Sequence, residues 1–146
     1  MKDLFDTQPK LAEKIMSLMT EGNEFDESGQ KNEALAAYQE AWELLPDFKL
    51  DWDLLTGWIS GSLYNYYLDS SDFKLAKHWA EIALKGRSSE IDTGPIVSLG
   101  IACFELDEHE EAYRLFDEAY RYGKSRAFQE RPKKYLTFYL DKKKSS

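Results

Sequence analysis

The stretch GNEFDESGQKNEALAAYQEAWELLP, from Gly22 to Pro46, decides how this chain folds. Gly22 and Phe25 stand three apart, on one face of a first helix. Ala34, Tyr38 and Ala41 recur at helical spacing on a second, and Pro46 stops it. Between them Glu27, Ser28, Gly29 and Gln30 supply a turn. Small residues let two antiparallel helices approach closely, and aromatic rings fill the gaps that remain. The stretch therefore predicts a helical hairpin whose spacing can be sought elsewhere.

It recurs twice. Tyr67 takes the place of Phe25, Phe73 follows the turn Asp69 to Asp72, and Ala76, Ala80 and Ala83 replace Ala34, Tyr38 and Ala41. In the third copy Cys103 lies three on from Gly100, and Ala112, Phe116 and Ala119 line the second helix. Asp107 and Glu110 have the spacing of a capping box. Gly57 and Gly61, four apart, predict a close helix crossing. The 78 residues from Gly22 to Gly100 exceed two periods of 34 by about ten. The excess is expected in an enlarged first helix of the second copy, around Leu50–Thr56, and in the loop Gly86–Thr93.

Capping signals bound the helices. Asp6 or Thr7 can cap a helix over about 8–28 with Pro9 in its first turn, and a second spans about 31–45. The enlarged helix is expected over about 50–69. Asp92 or Thr93 can cap the next helix, with Pro95 in its first turn, and Gly123 ends the third hairpin. Pro132 opens a last helix that carries Tyr135, Leu136, Phe138 and Leu140, with Phe128 before it; the Lys142–Ser146 tail is expected to fray.

With the three copies side by side, the chain resembles a tetratricopeptide repeat (TPR) protein over about residues 9–141. Gly22, Phe25, Ala34, Tyr38, Ala41 and Pro46 carry the likeness best. The second copy departs from the pattern with Tyr64 for the glycine and Ala80 for the aromatic. The third has Cys103 for an aromatic and no closing proline. The resemblance implies an all-α fold: three hairpins and a C-terminal capping helix in a right-handed α-solenoid. It implies one domain, 1–146, with repeats over about 15–48, 50–90 and 93–126 and a cap over about 131–141. A narrower likeness rests on the tryptophan-rich WDLLTGWISGSLYNYYLDSSDF, the Gly94-Pro95 opening and the closing PKKYLTFYL. These look like small bacterial three-repeat proteins encoded beside polymorphic or contact-dependent toxins and taken to be immunity proteins.

Composition bounds the function. The 42% hydrophobic and 14% aromatic content suits a packed core, and 32% charged residues suit a wet surface. No apolar run is long enough to span a bilayer, and the N-terminus lacks a signal-peptide core, so a cytoplasmic protein with no membrane partner is expected. Residues 124–146 hold eight Lys or Arg against two carboxylates, a net +6, so the −8 of the whole chain leaves −14 on residues 1–123. An acidic body disfavours nucleic acid and favours a basic partner. No catalytic, metal or nucleotide motif is present. His78 and His109 have no partner at ligand spacing, Cys103 falls at a packing position, and no cofactor is expected.

The resemblance places the binding groove on the first helix of each hairpin. The corresponding positions are Met16, Met19, Asn23, Asp26 and Glu27, then Trp58, Asn65, Leu68 and Asp69, then Val97, Ile101, Phe104 and Glu105. None is lysine or arginine, so the groove is expected to be apolar at its base, acidic at its lip and repellent to a peptide carboxylate. The expected function is non-enzymatic capture of one protein partner. Its sharpest form is an immunity protein that occludes a basic toxin domain, with Trp58 and Phe104 as anchors. The alternative is a general adaptor, scaffold or secretion chaperone.

Overall fold

The computed structural model describes residues 3–87, 89 and 91–145. Within them the chain runs through eight helices, α1 Leu4–Thr7, α2 Pro9–Glu27, α3 Lys31–Leu44, α4 Asp53–Asp69, α5 Phe73–Gly86, α6 Gly94–Glu105, α7 His109–Gly123 and α8 Lys133–Ser145. Helices α2–α3, α4–α5 and α6–α7 pack as hairpins, each against the next, and α8 closes the array. This is an all-α arrangement of three TPR-type hairpins and a terminal helix.

Close approach falls where the hairpin signature puts it. A Cβ on Gly22 would lie 2.6 Å from the Tyr38 ring, and one on Gly100 would lie 2.5 Å from Phe116. Tyr64 holds the matching place in the second hairpin, opposite Ala80, so ring and small residue have exchanged helices. All three hairpin turns use one backbone solution. Gly29, Ser71 and Asp107 take positive φ of 82, 60 and 63°. The next amide then reaches back to Phe25, Tyr67 or Cys103 at 2.8 or 2.9 Å, closing the helix C-terminus. Asp107 is therefore a turn residue rather than half of a capping box; Glu108 is the N-cap of α7 and makes no side-chain cap bond.

Several boundaries differ from expectation. Asp3 caps an additional short helix, α1, by accepting from the Phe5 amide, whereas Gln8 precedes α2 with no side-chain cap bond. The excess residues before the second hairpin do not lengthen its first helix. They form a connection with a 3-10 turn at Lys49–Asp51, and Lys49 Nζ donates to the carbonyls of Trp42 (2.9 Å) and Leu45 (2.6 Å) at the end of α3. A cation there offsets the partial negative charge of the helix terminus. Of the predicted loop Gly86–Thr93, Ser88 and Glu90 lie outside the described residues.

Two buried clusters make the core. One joins α1 to α4 through Leu4, Ile15, Met19, Tyr38 and Ile59; the other joins α4 to α8 through Tyr64, Ile96, Phe116 and Tyr139. Tyr67 and Trp79 touch both, and Trp79 meets Trp42 edge-on at 5.0 Å. The tail does not fray before Ser145. Lys142 lies over the Tyr113 ring and Lys143 over Tyr120 and Tyr139, while Ser146 is outside the described residues.

Candidate functional site

The apolar residues of helix α4 are not confined to one face. Leu55, Ile59 and Leu63 enter the core; on the opposite stripe Leu54 and Gly57 are exposed, and Trp58, Gly61 and Leu68 are only half-covered. Leu54 is 68% exposed, and a Cβ on Gly57 or Gly61 would meet no other atom within 4 Å. These glycines are thus not the predicted helix crossing. They are bare backbone on the wall of a groove.

The groove has a volume of ≈ 1180 Å³. One wall is α4, with Leu54, Trp58, Asn65 and Leu68; the floor is Ala80, Ala83 and Gly86 of α5. The opposite wall is the start of α6 and the segment after α7, where Ser98 and Ile101 face Arg126, Arg131 and Tyr135. Asp53, Arg87, Asp92 and Thr93 also line it. One departure from the 34-residue period, the loop before Pro95, therefore borders it. In a repeat array such insertions collect on one edge, often the binding edge.

Of the thirteen positions the resemblance indicated, four line this groove: Trp58, Asn65, Leu68 and Ile101. Ile101 is only 1% exposed, so it packs more than it presents. Met19 and Val97 are fully buried core residues, because α1 and the neighbouring hairpins cover them. Asn23 accepts a hydrogen bond from the Tyr38 hydroxyl at 2.7 Å and so ties its own hairpin together. Asn65, opposite Ala80 rather than a tyrosine, has an exposed side chain on the groove wall. Asp26 pairs with Lys31 across the first turn at 2.5 Å. Met16, Glu27 and Asp69 are exposed but lie outside the groove lining.

Phe104 and Glu105 lie under the terminal helix. The Phe104 ring packs on Tyr135 (5.4 Å), Phe138 (5.0 Å) and His109 (4.8 Å). Glu105 accepts from the Tyr135 hydroxyl at 3.1 Å and pairs with Lys134 at 3.0 Å. An aromatic anchor and a lip carboxylate are thereby spent on attaching α8.

The expected charge pattern is also corrected. Arg87, Arg126 and Arg131 border the groove with Asp53, Asp92 and Glu130, so its formal charge is balanced rather than acidic. These cations come from the connections between hairpins, which a reading confined to the first helices passes over. The only signal for Arg126 and Arg131 was the +6 of the last 23 residues. Phe128 brings them round by burying against Phe116 (5.4 Å) and Tyr139 (6.3 Å). Arg131 then donates through Nη2 to the Gly94 carbonyl (3.3 Å) and Ser98 Oγ (3.1 Å).

Beside it the Tyr64 hydroxyl, fully enclosed, faces Ser98 and Arg131 without a well-formed hydrogen bond. Burial pushes this phenol up to about 12, against the pull of the Arg131 charge. Burial likewise pushes the Cys103 thiol up to about 12, so at neutral pH it is a protonated packing group. Among the described residues no group of three His, Cys, Asp or Glu is placed to hold a metal ion, and no helix is long and apolar enough to cross a membrane.

No protein-family model and no curated protein matches this chain. Among solved structures it is similar to the C-terminal TPR-containing domain of a Plasmodium falciparum protein described as FK506-binding. The TM-score is 0.69 at 20% sequence identity, over 92% of this chain and 91% of that one. At that identity the likeness speaks for the fold alone, and the fold is a TPR-type helical solenoid.

Proposed function

We propose that this chain is a non-enzymatic module that captures one protein partner in the groove between α4, α6 and the segment before α8. The observation that carries the reading is the half-covered stripe of α4. An apolar stripe without a partner marks an interaction surface. Trp58, aromatic and half-buried, is the anchor such surfaces favour, and Gly57 and Gly61 let a partner approach the helix backbone. The TPR-type fold fits a binding module, although fold by itself does not assign function.

In its sharper form the module is an immunity protein that covers a toxin domain. That form is supported by the tryptophan-rich helix, the Gly94-Pro95 opening and the closing PKKYLTFYL. The net charge of −8 would steer a basic partner to it from a distance, whatever the balance inside the groove. The adaptor reading draws on the same groove and differs in the number of clients.

Gly61→Leu and Trp58→Ala provide the test: a Cβ at Gly61 meets no neighbouring element, whereas Trp58 also packs against the core. Wild type should capture a partner from native lysate that both variants lose, Gly61→Leu while keeping its melting temperature. Undiminished capture by both would remove the groove from the function. A single tightly held partner whose toxicity is suppressed on co-expression supports immunity; several clients support the adaptor.

A further inference from the structure

We infer that the part of the groove around Arg131 is a carboxylate subsite, built on Arg131 with Tyr64 and Ser98, that takes an Asp or Glu side chain flanked by apolar residues. The inference rests on the groove-binding reading above and names the partner chemistry it selects.

Three observations carry it. The first is an imbalance at Arg131. Arg131 is half-buried, yet among the described residues its guanidinium finds only neutral acceptors, the Gly94 carbonyl and the Ser98 hydroxyl, both through Nη2. Nε and Nη1 find no acceptor among the described residues. A guanidinium offers five N–H donors in a fork that matches a carboxylate, and a cation removed from water gains most from an anionic partner. The carboxylates that border the groove do not fill that role. Asp92 accepts from the Gly94 amide through Oδ1 at 3.2 Å and from Arg87 through its carbonyl at 3.4 Å. Glu105, outside the groove lining, is occupied by the Tyr135 hydroxyl and by Lys134. Asp53 and Glu130 make no ion pair with Arg131.

The second observation is independent of charge. Tyr64 is 97% buried within the groove wall, and its hydroxyl points at this same spot without a well-formed bond. A buried hydroxyl whose hydrogen bonding is incomplete costs free energy, and in a native structure such a group calls for an explanation. An arriving carboxylate would draw the guanidinium outward, leaving Ser98 Oγ to pair with the phenol. The third is the surroundings: Leu68 and Ala127 also line the groove, and Arg126 is an exposed second cation. A carboxylate carried on an apolar neighbour satisfies all of these at once. A free inorganic anion would leave the apolar wall uncovered.

Hexanoate is the probe, with hexanamide as its uncharged match, titrated into the full chain and followed by the Trp58 indole and arginine Nε–H resonances. Hexanoate should give saturable shifts at Trp58 and Arg131, and hexanamide none that saturate. Arg131→Gln should weaken hexanoate by about tenfold, the loss of one charge-assisted pair. Because Arg131→Gln removes the tether to Gly94 and Ser98, Tyr64→Phe is the second variant. It should leave the melting temperature equal or higher and still weaken hexanoate. Equal shifts with hexanamide, or full hexanoate affinity in both variants, would overturn the subsite. A protein partner that is lost on Trp58→Ala but indifferent to Arg131→Gln and Tyr64→Phe would also overturn it, while leaving the proposed function intact.

Discussion

At the scale of single residues, glycine carries two opposite meanings in this chain. Gly22 and Gly100 exist because an aromatic ring from the paired helix occupies the space of a Cβ, at 2.6 and 2.5 Å. Gly57 and Gly61 face open groove. The contrast is measurable by urea unfolding. Gly22→Ala and Gly100→Ala should destabilise by about 1–3 kcal/mol, because ring and backbone must move apart. Gly57→Ala and Gly61→Ala should stabilise by about 0.5–1 kcal/mol, because glycine in a helix interior is entropically costly and nothing obstructs the methyl group. If all four lost stability alike, the bare stripe on α4 would be wrongly placed. The turn residues follow a similar logic. Gly29 takes positive φ at no steric cost, whereas Ser71 and Asp107 hold the same geometry against an unfavourable Cβ contact.

At the scale of the element, α8 is held by its tyrosines rather than by its apolar content alone. Tyr139 is fully buried, and its hydroxyl donates to Asp117 at 2.6 Å; Arg121 pairs with the same carboxylate at 2.7 Å. The Tyr139 hydrogen bond, ahead of the Arg121 contact, holds Asp117 below the usual carboxylate range. The sign follows directly. A carboxylate whose folded value is depressed contributes stability above its ordinary value of about 4 and loses it as pH falls through the folded value. Protection of α8 against hydrogen exchange, corrected for the intrinsic rate, should therefore fall below about pH 4, and Asp117→Asn should flatten that dependence. Tyr139→Phe should cost about 1–2 kcal/mol at neutral pH by removing one of the two donors to Asp117. Unchanged protection of α8 between pH 5 and pH 3, values chosen to bracket the ordinary carboxylate range, would refute this account of its attachment.

At the scale of the whole molecule, the array is a line of hairpins in which each contacts its neighbours, with Tyr67 and Trp79 joining two otherwise separate cores. Stability in such an array is a sum of local and nearest-neighbour terms. Deleting residues 132–146 should strip the cover from Phe104, Phe116 and Tyr113. Exchange protection should then fall in α6 and α7 while α2 and α3 retain theirs. A uniform loss along the chain would instead mean that the two cores unfold as one.

The hairpins were legible because their pattern is local. Gly22, Ala34, Tyr38 and Gly100, Ala112, Phe116 meet partners within one hairpin, at helical spacing, so periodicity alone announces them. The terminal helix was legible for a related reason: a repeat array leaves an apolar face that the aromatic run after Pro132 can cover. What the chain by itself could not declare is which first-helix residues stay uncovered. Met19 and Val97 occupy the same repeat positions as groove residues, yet neighbouring elements bury them, and Phe104 and Glu105 are taken by α8. Nor could periodicity show that Arg126 and Arg131, assigned to a basic tail, return to close the groove, since that depends on where Phe128 is buried. Local spacing determined the helices and their pairing; only tertiary packing, which sets the distance between residues far apart in the chain, decided the groove and the charges that line it.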